Sequence, residues 1–273
     1  MERVVPLTTM LWNSGEVAVI RGLVQVSNFW LSEILRGTFL FLLSYLLGQW
    51  VIRRGIRVNY TRKIVHFFLA FLPVFMATLL PYQVTLGTIF IGGVFYLVVM
   101  SLFLRPVRER VPAITVAFHS FDRPEDRPYT MLWMMSQLAA LYLVLLPMIV
   151  WLAAYDKVVL IYMTIIVSGL GDGLAEPVGV RFGRHHYRVR ALFSDRVYTR
   201  TLEGSACVFV SAVLAVVLMQ GQLTTEQFLV GLLLFPPAMT LTEAWSPHTW
   251  DQPFLFLVGG VTTVAMLELP GFF

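Results

Sequence analysis

Apolar residues run along this chain in eight long blocks, at about 31–52, 64–81, 84–104, 131–153, 157–175, 203–221, 227–245 and 253–269, separated by shorter polar joints. Each block is close to the ~20 residues that cross a hydrocarbon core of roughly 30 Å. Open strands leave backbone groups unsatisfied in lipid, so the blocks are predicted to be helices. The pattern predicts an all-α, polytopic helical membrane protein of about eight transmembrane helices. The joint at Asp156 and Lys157 is short, which leaves seven spans and a re-entrant piece as the alternative count.

Composition agrees. Hydrophobic residues make up 58%, charged residues 13%, and the mean hydropathy is +0.75; a soluble domain carries about 25% charged residues. Most of the 20 Lys and Arg sit in three alternate joints: Arg53, Arg54, Arg57, Arg62 and Lys63; Arg105, Arg108, Arg110, Arg123 and Arg127; Arg181, Arg184, Arg188, Arg190, Arg196 and Arg200. The intervening joints hold only Lys157. Alternate joints share one membrane face, and the positive-inside rule makes it the cytoplasmic one. With eight spans both termini then lie outside.

Residues 1–30 are predicted to be an N-terminal amphipathic, interfacial segment, because Val17 to Arg36 mixes apolar residues with Arg21, Glu33 and Arg36. Met1 to Asn28 has no basic region followed by an apolar run and a small-residue cleavage site, so it does not read as a cleaved signal. Residues 31–273 read as a single transmembrane domain; the longest polar pieces, 105–130 and 176–202, are loops of it. No internal repeat or low-complexity segment is seen. The lone cysteine, Cys207, lies in an apolar block and reads as packing. The pI near 9.4 comes from the basic loops. Topology and attraction to anionic lipid headgroups account for it, with no nucleic acid implied.

Four constellations carry chemistry, all at block ends on the basic face. The fifth block ends in Ser168-Gly-Leu-Gly-Asp-Gly-Leu-Ala-Glu176-Pro-Val-Gly179. Asp172 and Glu176 share a helical face and together can hold a hard divalent cation. Gly169, Gly171, Gly173, Gly179 and Gly183 read as a backbone that comes close to a ligand and offers N–H groups to phosphate. The bland account is a helix end with a glycine cap. Arg62, Lys63 and His66 open the second block. The two cations double as membrane-edge anchors, whereas His66 lies one turn inside. Arg200, Thr201, Glu203, Gly204 and Ser205 open the sixth block, either as a helix cap or as a phosphate fork with a third carboxylate. The last basic-face loop carries Glu243, Ser246, His248 and Asp251 between prolines and no basic residue, so it reads equally as a turn or as metal ligands. Carboxylates for a metal, cations for phosphates and a Gly-rich turn suit phosphoryl or nucleotidyl transfer. No Walker or protein-kinase motif is present.

Together these residues resemble the CTP-dependent lipid-alcohol kinases: dolichol kinase, phytol and farnesol kinases, and the CTP-dependent diacylglycerol kinase, a group distantly similar to phosphatidate cytidylyltransferases. The resemblance rests on Arg62-Lys63-x-x-His66, on Gly171-Asp172-x-x-Ala175-x-x-x-Gly179-x-x-x-Gly183, and on Arg200-Thr201-x-Glu203-Gly204-Ser205. It covers residues from about 60 onward. Arg200 stands where the family usually has Lys, and Asp251-Gln252-Pro253 only loosely matches the family's Asp-Asn run. The long cytidylyltransferase signature ending in paired aspartates is not seen.

The resemblance implies transfer of the γ-phosphate of CTP to the hydroxyl of a long-chain, polyprenol-type alcohol, with Mg2+ as the expected divalent cation. It implies Asp172, Glu176 and Glu203 as metal ligands and Asp172, Lys63, His66 and Glu203 as catalytic groups. Arg62, Lys63, Gly171, Gly173, Gly179, Gly183, Arg200, Thr201, Gly204 and Ser205 would meet the nucleotide. The rival readings are CDP-diacylglycerol synthesis and a non-enzymatic lipid or solute transporter. A bacterial plasma membrane is the expected location.

Overall fold

The computed structural model describes residues 14–192 and 195–272. The chain is 79% helical. The helices are α1 (Ser14–Arg54), α2 (Val58–Leu79), α3 (Leu86–Ser101), the short α4 (Arg105–Arg108) and α5 (Pro112–Phe118), α6 (Thr130–Ala154), α7 (Ile161–Ile166), α8 (Gly173–Phe182), α9 (Leu202–Leu218), α10 (Thr225–Trp245) and α11 (Asp251–Glu268). Every predicted apolar block is helical.

Five stretches are long and apolar enough to cross a membrane: Val24–Arg54, Val58–Leu79, Thr130–Ala154, Val158–Phe182 and Thr225–Trp245. Their outward faces carry exposed apolar side chains such as Leu143, Leu233 and Phe75, a surface that belongs in lipid. This is a helical membrane protein. The remaining predicted blocks form shorter helices: α3 and α9 have 16 and 17 residues, and α11 has 18 with Asp251 and Glu268 at its ends.

The structure departs from the sequence reading in four places, the first being the 105–130 loop, which carries the short helices α4 and α5. Residues 1–13 of the anticipated interfacial segment lie outside the described residues, and from Ser14 the rest of it is α1 itself, continuous to Arg54. No proline interrupts this stretch, and Glu33 and Arg36, three residues apart, pair with each other instead of breaking the helix. Gly55 then ends α1 in the left-handed region, at φ +64°. The fifth block does not stop near residue 175. It passes through a π-helical turn, Val167–Asp172, into α8 and ends at Phe182. The polar stretch after it is not all loop: β1 (His186–Arg190) and β2 (Val197–Thr201) pair antiparallel, Arg190 opposite Val197 and His186 opposite Thr201. Tyr187, Val189, Val197 and Tyr198, all β-branched or aromatic, favour strand over helix there.

The main core lies where α7, α9, α10 and α11 meet, around Met163, Val167, Val208, Ala212, Phe235, Met239 and Leu255. Glycines let these helices and their neighbours approach. A Cβ on Gly171 would lie 3.1 Å from the Val208 Cα, one on Gly169 would lie 2.6 Å from the Phe71 ring, and one on Gly204 would lie 2.6 Å from the Ala175 carbonyl oxygen. The last neighbour is backbone and cannot rotate away. Gly204→Ala is therefore expected to destabilise the protein by about 1–3 kcal/mol, read as a lower unfolding midpoint in detergent; an unchanged midpoint would show that α8 and α9 do not pack this closely.

Candidate functional site

The N-terminal ends of α2, α8, α9 and α11 converge on a network of charged side chains. At its centre Lys63 Nζ donates to Asp172 Oδ1 at 2.8 Å, and both side chains are buried. The second carboxylate oxygen, Oδ2, accepts from Gln252 Nε2 at 3.1 Å and lies 3.5 Å from His66 Nε2. His66 Nε2 also meets the Ser168 carbonyl oxygen at 2.9 Å, and the Ser168 hydroxyl donates to Gln252 Oε1. The π turn carries Ser168 and Asp172 to one side; such turns widen a helix locally and are frequent at functional sites.

One turn further on, Glu176 holds a second layer. Its Oε2 accepts from Arg62 at 2.7 Å, its Oε1 accepts from Arg123 at 2.7 Å and Asn59 at 2.8 Å, and Lys63 Nζ is 4.0 Å away. Arg123 comes from the loop after α5. Thr61 donates to the Ser120 carbonyl and pins that loop onto α2. Arg123 also pairs with Asp126 at 2.7 Å and contacts His248 Nε2 at 2.8 Å. The sequence reading gave Arg123 only a topological role and passed over Asp126. Both are buried, an uncommon setting for loop charges, and only the fold exposes it.

The third layer joins Arg200 to Glu243 at 3.4 Å and to Asp251 at 3.9 Å. Ser205 donates to Glu243 at 3.0 Å and shares a hydrogen bond with Tyr187. Thr201 caps α9 by accepting from the Gly204 N–H. Glu203 goes elsewhere. It meets His185 Nδ1 at 2.8 Å on the exposed side of α9, so the structure does not bring it to Asp172. Nor do the glycines form a phosphate-cradling turn. Gly171 and Gly173 sit in helix, Gly179 and Gly183 crowd against Thr201, and helical N–H groups are already used by the backbone. Of the five motif glycines, Gly173 alone faces open space.

The hairpin closes this end. Arg196 donates to the Glu125 and Arg127 carbonyls, His248 N donates to the Arg190 carbonyl, and the Tyr198 ring stacks on the His248 ring at 3.5 Å. Burial, partly opposed by the Asp126 hydrogen bond, pushes the His248 pKa down to about 4. The folded state thus prefers neutral His248 against an ordinary value of about 6.5. Stability from this source is present above about pH 6.5 and is lost as the pH falls toward 4. His248→Gln is expected to flatten the fall in thermal midpoint between those limits; a mutant profile parallel to wild type would refute the assignment.

A cavity of about 1280 Å³ runs from this network between α1, α2, α3 and α6. Its charged end is lined by Lys63, His66, Asp126, Asp172, Asp251 and Gln252, and its length by apolar side chains such as Leu69, Val74, Leu138 and Leu141. The volume exceeds the ~300–1,000 Å³ of ordinary small-molecule pockets. Arg62 Nε and Trp133 Nε1 are buried donors without a hydrogen-bond partner among the described residues.

No three His, Cys, Asp or Glu side chains among the described residues are grouped to hold a metal ion. A protein-only cage is absent from them. Magnesium, however, is commonly held by one or two carboxylates together with substrate phosphates, and Asp172 and Asp251 both face the cavity.

No family model, curated protein or solved structure matches this chain.

Proposed function

We propose that the chain is a membrane-embedded phosphotransferase of the CTP-dependent lipid-alcohol kinase type, with eight spans and its charged end at the cytoplasmic surface of a bacterial plasma membrane. The observation that carries the reading is the junction of two environments: buried cations and carboxylates, with a spare donor at Arg62 Nε, opening into an apolar cavity of lipid scale. A polyprenol- or dolichol-type chain would lie in the cavity with its hydroxyl beside Asp172. The motif resemblance supplies CTP as the donor.

The alcohol oxygen attacks the γ-phosphorus, the bond from that phosphorus to the β-bridging oxygen breaks, and CDP leaves with its electron pair. The alcohol proton passes to Asp172, or to His66 at 3.5 Å from it. Lys63, Arg62, Arg123 and Arg200 release their carboxylates to the incoming phosphates and stabilise the developing charge. Asp172 and Asp251 would hold a magnesium ion, which when bound supplies further charge neutralisation on the phosphates. Glu203 has no part in this arrangement.

The fate of the nucleotide tests the reading against its closest rival. Purified protein given CTP and a polyprenol is expected to release CDP. Release of pyrophosphate, with phosphatidate as the required acceptor, would overturn the kinase in favour of a cytidylyltransferase.

A further inference from the structure

Away from the charged end the cavity meets a second polar group. Glu33 and Arg36 of α1 line it and are 2% and 5% exposed, and they pair with each other. Facing them, α3 carries Gly92, where a Cβ would lie 3.5 Å from Glu33 Oε1, and Tyr96, whose ring lies 5.7 Å below the Arg36 guanidinium. Phe39 and Phe68 touch at 5.1 Å between ring centroids, which sets the level of α1 against α2. From that level Lys63 is five residues toward the basic end and Arg36 three residues the other way. The two groups are therefore about 12 Å apart along the helix axes, which puts Arg36 well inside the apolar slab.

Ionisable groups at that depth are costly and mark function. A pair that served only to neutralise itself would use its polar atoms fully. Here Glu33 Oε2 and Arg36 Nε are buried with no hydrogen-bond partner among the described residues. One is an acceptor and the other a donor. A hydroxyl answers both, donating to the carboxylate and accepting from the guanidinium. A phosphate or carboxylate has no proton to give and would face the Glu33 charge; an ammonium cannot accept and would face Arg36.

We propose that Glu33 and Arg36 form a second subsite that takes a hydroxyl carried along the chain of the lipid in the cavity, about 12 Å from the group held at Lys63 and Asp172. This rests on the reading that the cavity holds a lipid alcohol. The subsite selects among such lipids: chains with a second hydroxyl at that distance bind in preference to unsubstituted ones.

The test is displacement of radiolabelled cetyl alcohol from the full-length protein in detergent by unlabelled cetyl alcohol and by hexadecanediols whose second hydroxyl is moved along the chain. The diol with the matching spacing is expected to compete about tenfold better than cetyl alcohol, the gain of a hydrogen bond to a charged group. In Glu33→Gln the ratio of the two affinities is expected to fall toward one; the positional series on the wild type decides the matter if that variant does not fold. Diols that compete no better than cetyl alcohol at every position would overturn the subsite and leave the lipid reading standing. Failure of cetyl alcohol itself to bind would overturn both.

Discussion

Asp172→Asn is expected to lower phosphate transfer by about 10²–10⁴-fold, the range for loss of a positioned acid–base group, without loss of insertion or monodispersity. The side chain keeps its shape and can still accept from Lys63, which lies 2.8 Å from the native carboxylate. What it loses is charge and basicity. Lys63 would not be stranded, because Glu176 lies 4.0 Å from its ammonium. Turnover with CTP and a polyprenol, measured beside gel filtration of the same sample, separates a chemical defect from a folding one. Undiminished turnover in a well-folded variant would remove Asp172 from the reaction.

The largest stability effect is expected at Arg123. Its guanidinium is buried and bonded to Asp126, Glu176 and His248 at 2.7–2.8 Å. It ties the loop after α5 to α8 and to the turn before α11. Arg123→Ala leaves Asp126 without its cation inside the protein, while Glu176 keeps Arg62. Breaking one side of a buried ion pair costs about 3–5 kcal/mol, which corresponds to a fall of roughly 10 °C in unfolding midpoint for a chain of this size. Arg123→Lys should recover only part of it, since one ammonium cannot reproduce a planar fork with three partners. A midpoint within a degree of wild type for Arg123→Ala would mean that the loop is held by something else.

Apolar runs located the eight long helical blocks, because in lipid a long apolar run has only one way to satisfy its backbone; α4 and α5, inside a stretch that reads as loop, carry no such signal. The same signal could not tell where α1 begins or that the fifth block continues to Phe182: both boundaries depend on what packs beside them. Asp172, Lys63, His66 and Glu176 were legible as a group because charge at the edge of an apolar block is costly. Arg123 was hidden among topological arginines, and burial alone distinguishes it. Gln252 was visible only as a mismatch in a run that usually carries Asn, yet its amide reaches Asp172. Glu203 misled for a simpler reason. Motif proximity does not fix direction around a helix, and its carboxylate points to His185. The glycines misled in the same way: as helix-packing positions they leave a pattern in sequence very like that of a phosphate loop. In sequence Glu33 and Arg36 belong to a mixed apolar and charged stretch that suits an interfacial helix, but one turn apart they pair with each other and stay buried.

The destination of the nucleotide's terminal phosphate decides whether the protein is a lipid-alcohol kinase. Purified protein in lipid nanodiscs, with magnesium, γ-labelled CTP and a polyprenol, is predicted to move the label into an organic-soluble monophosphate ester. Label that stays wholly in the aqueous phase across a panel of isoprenoid and glycerolipid alcohols, whether the donor is CTP or ATP, would contradict it.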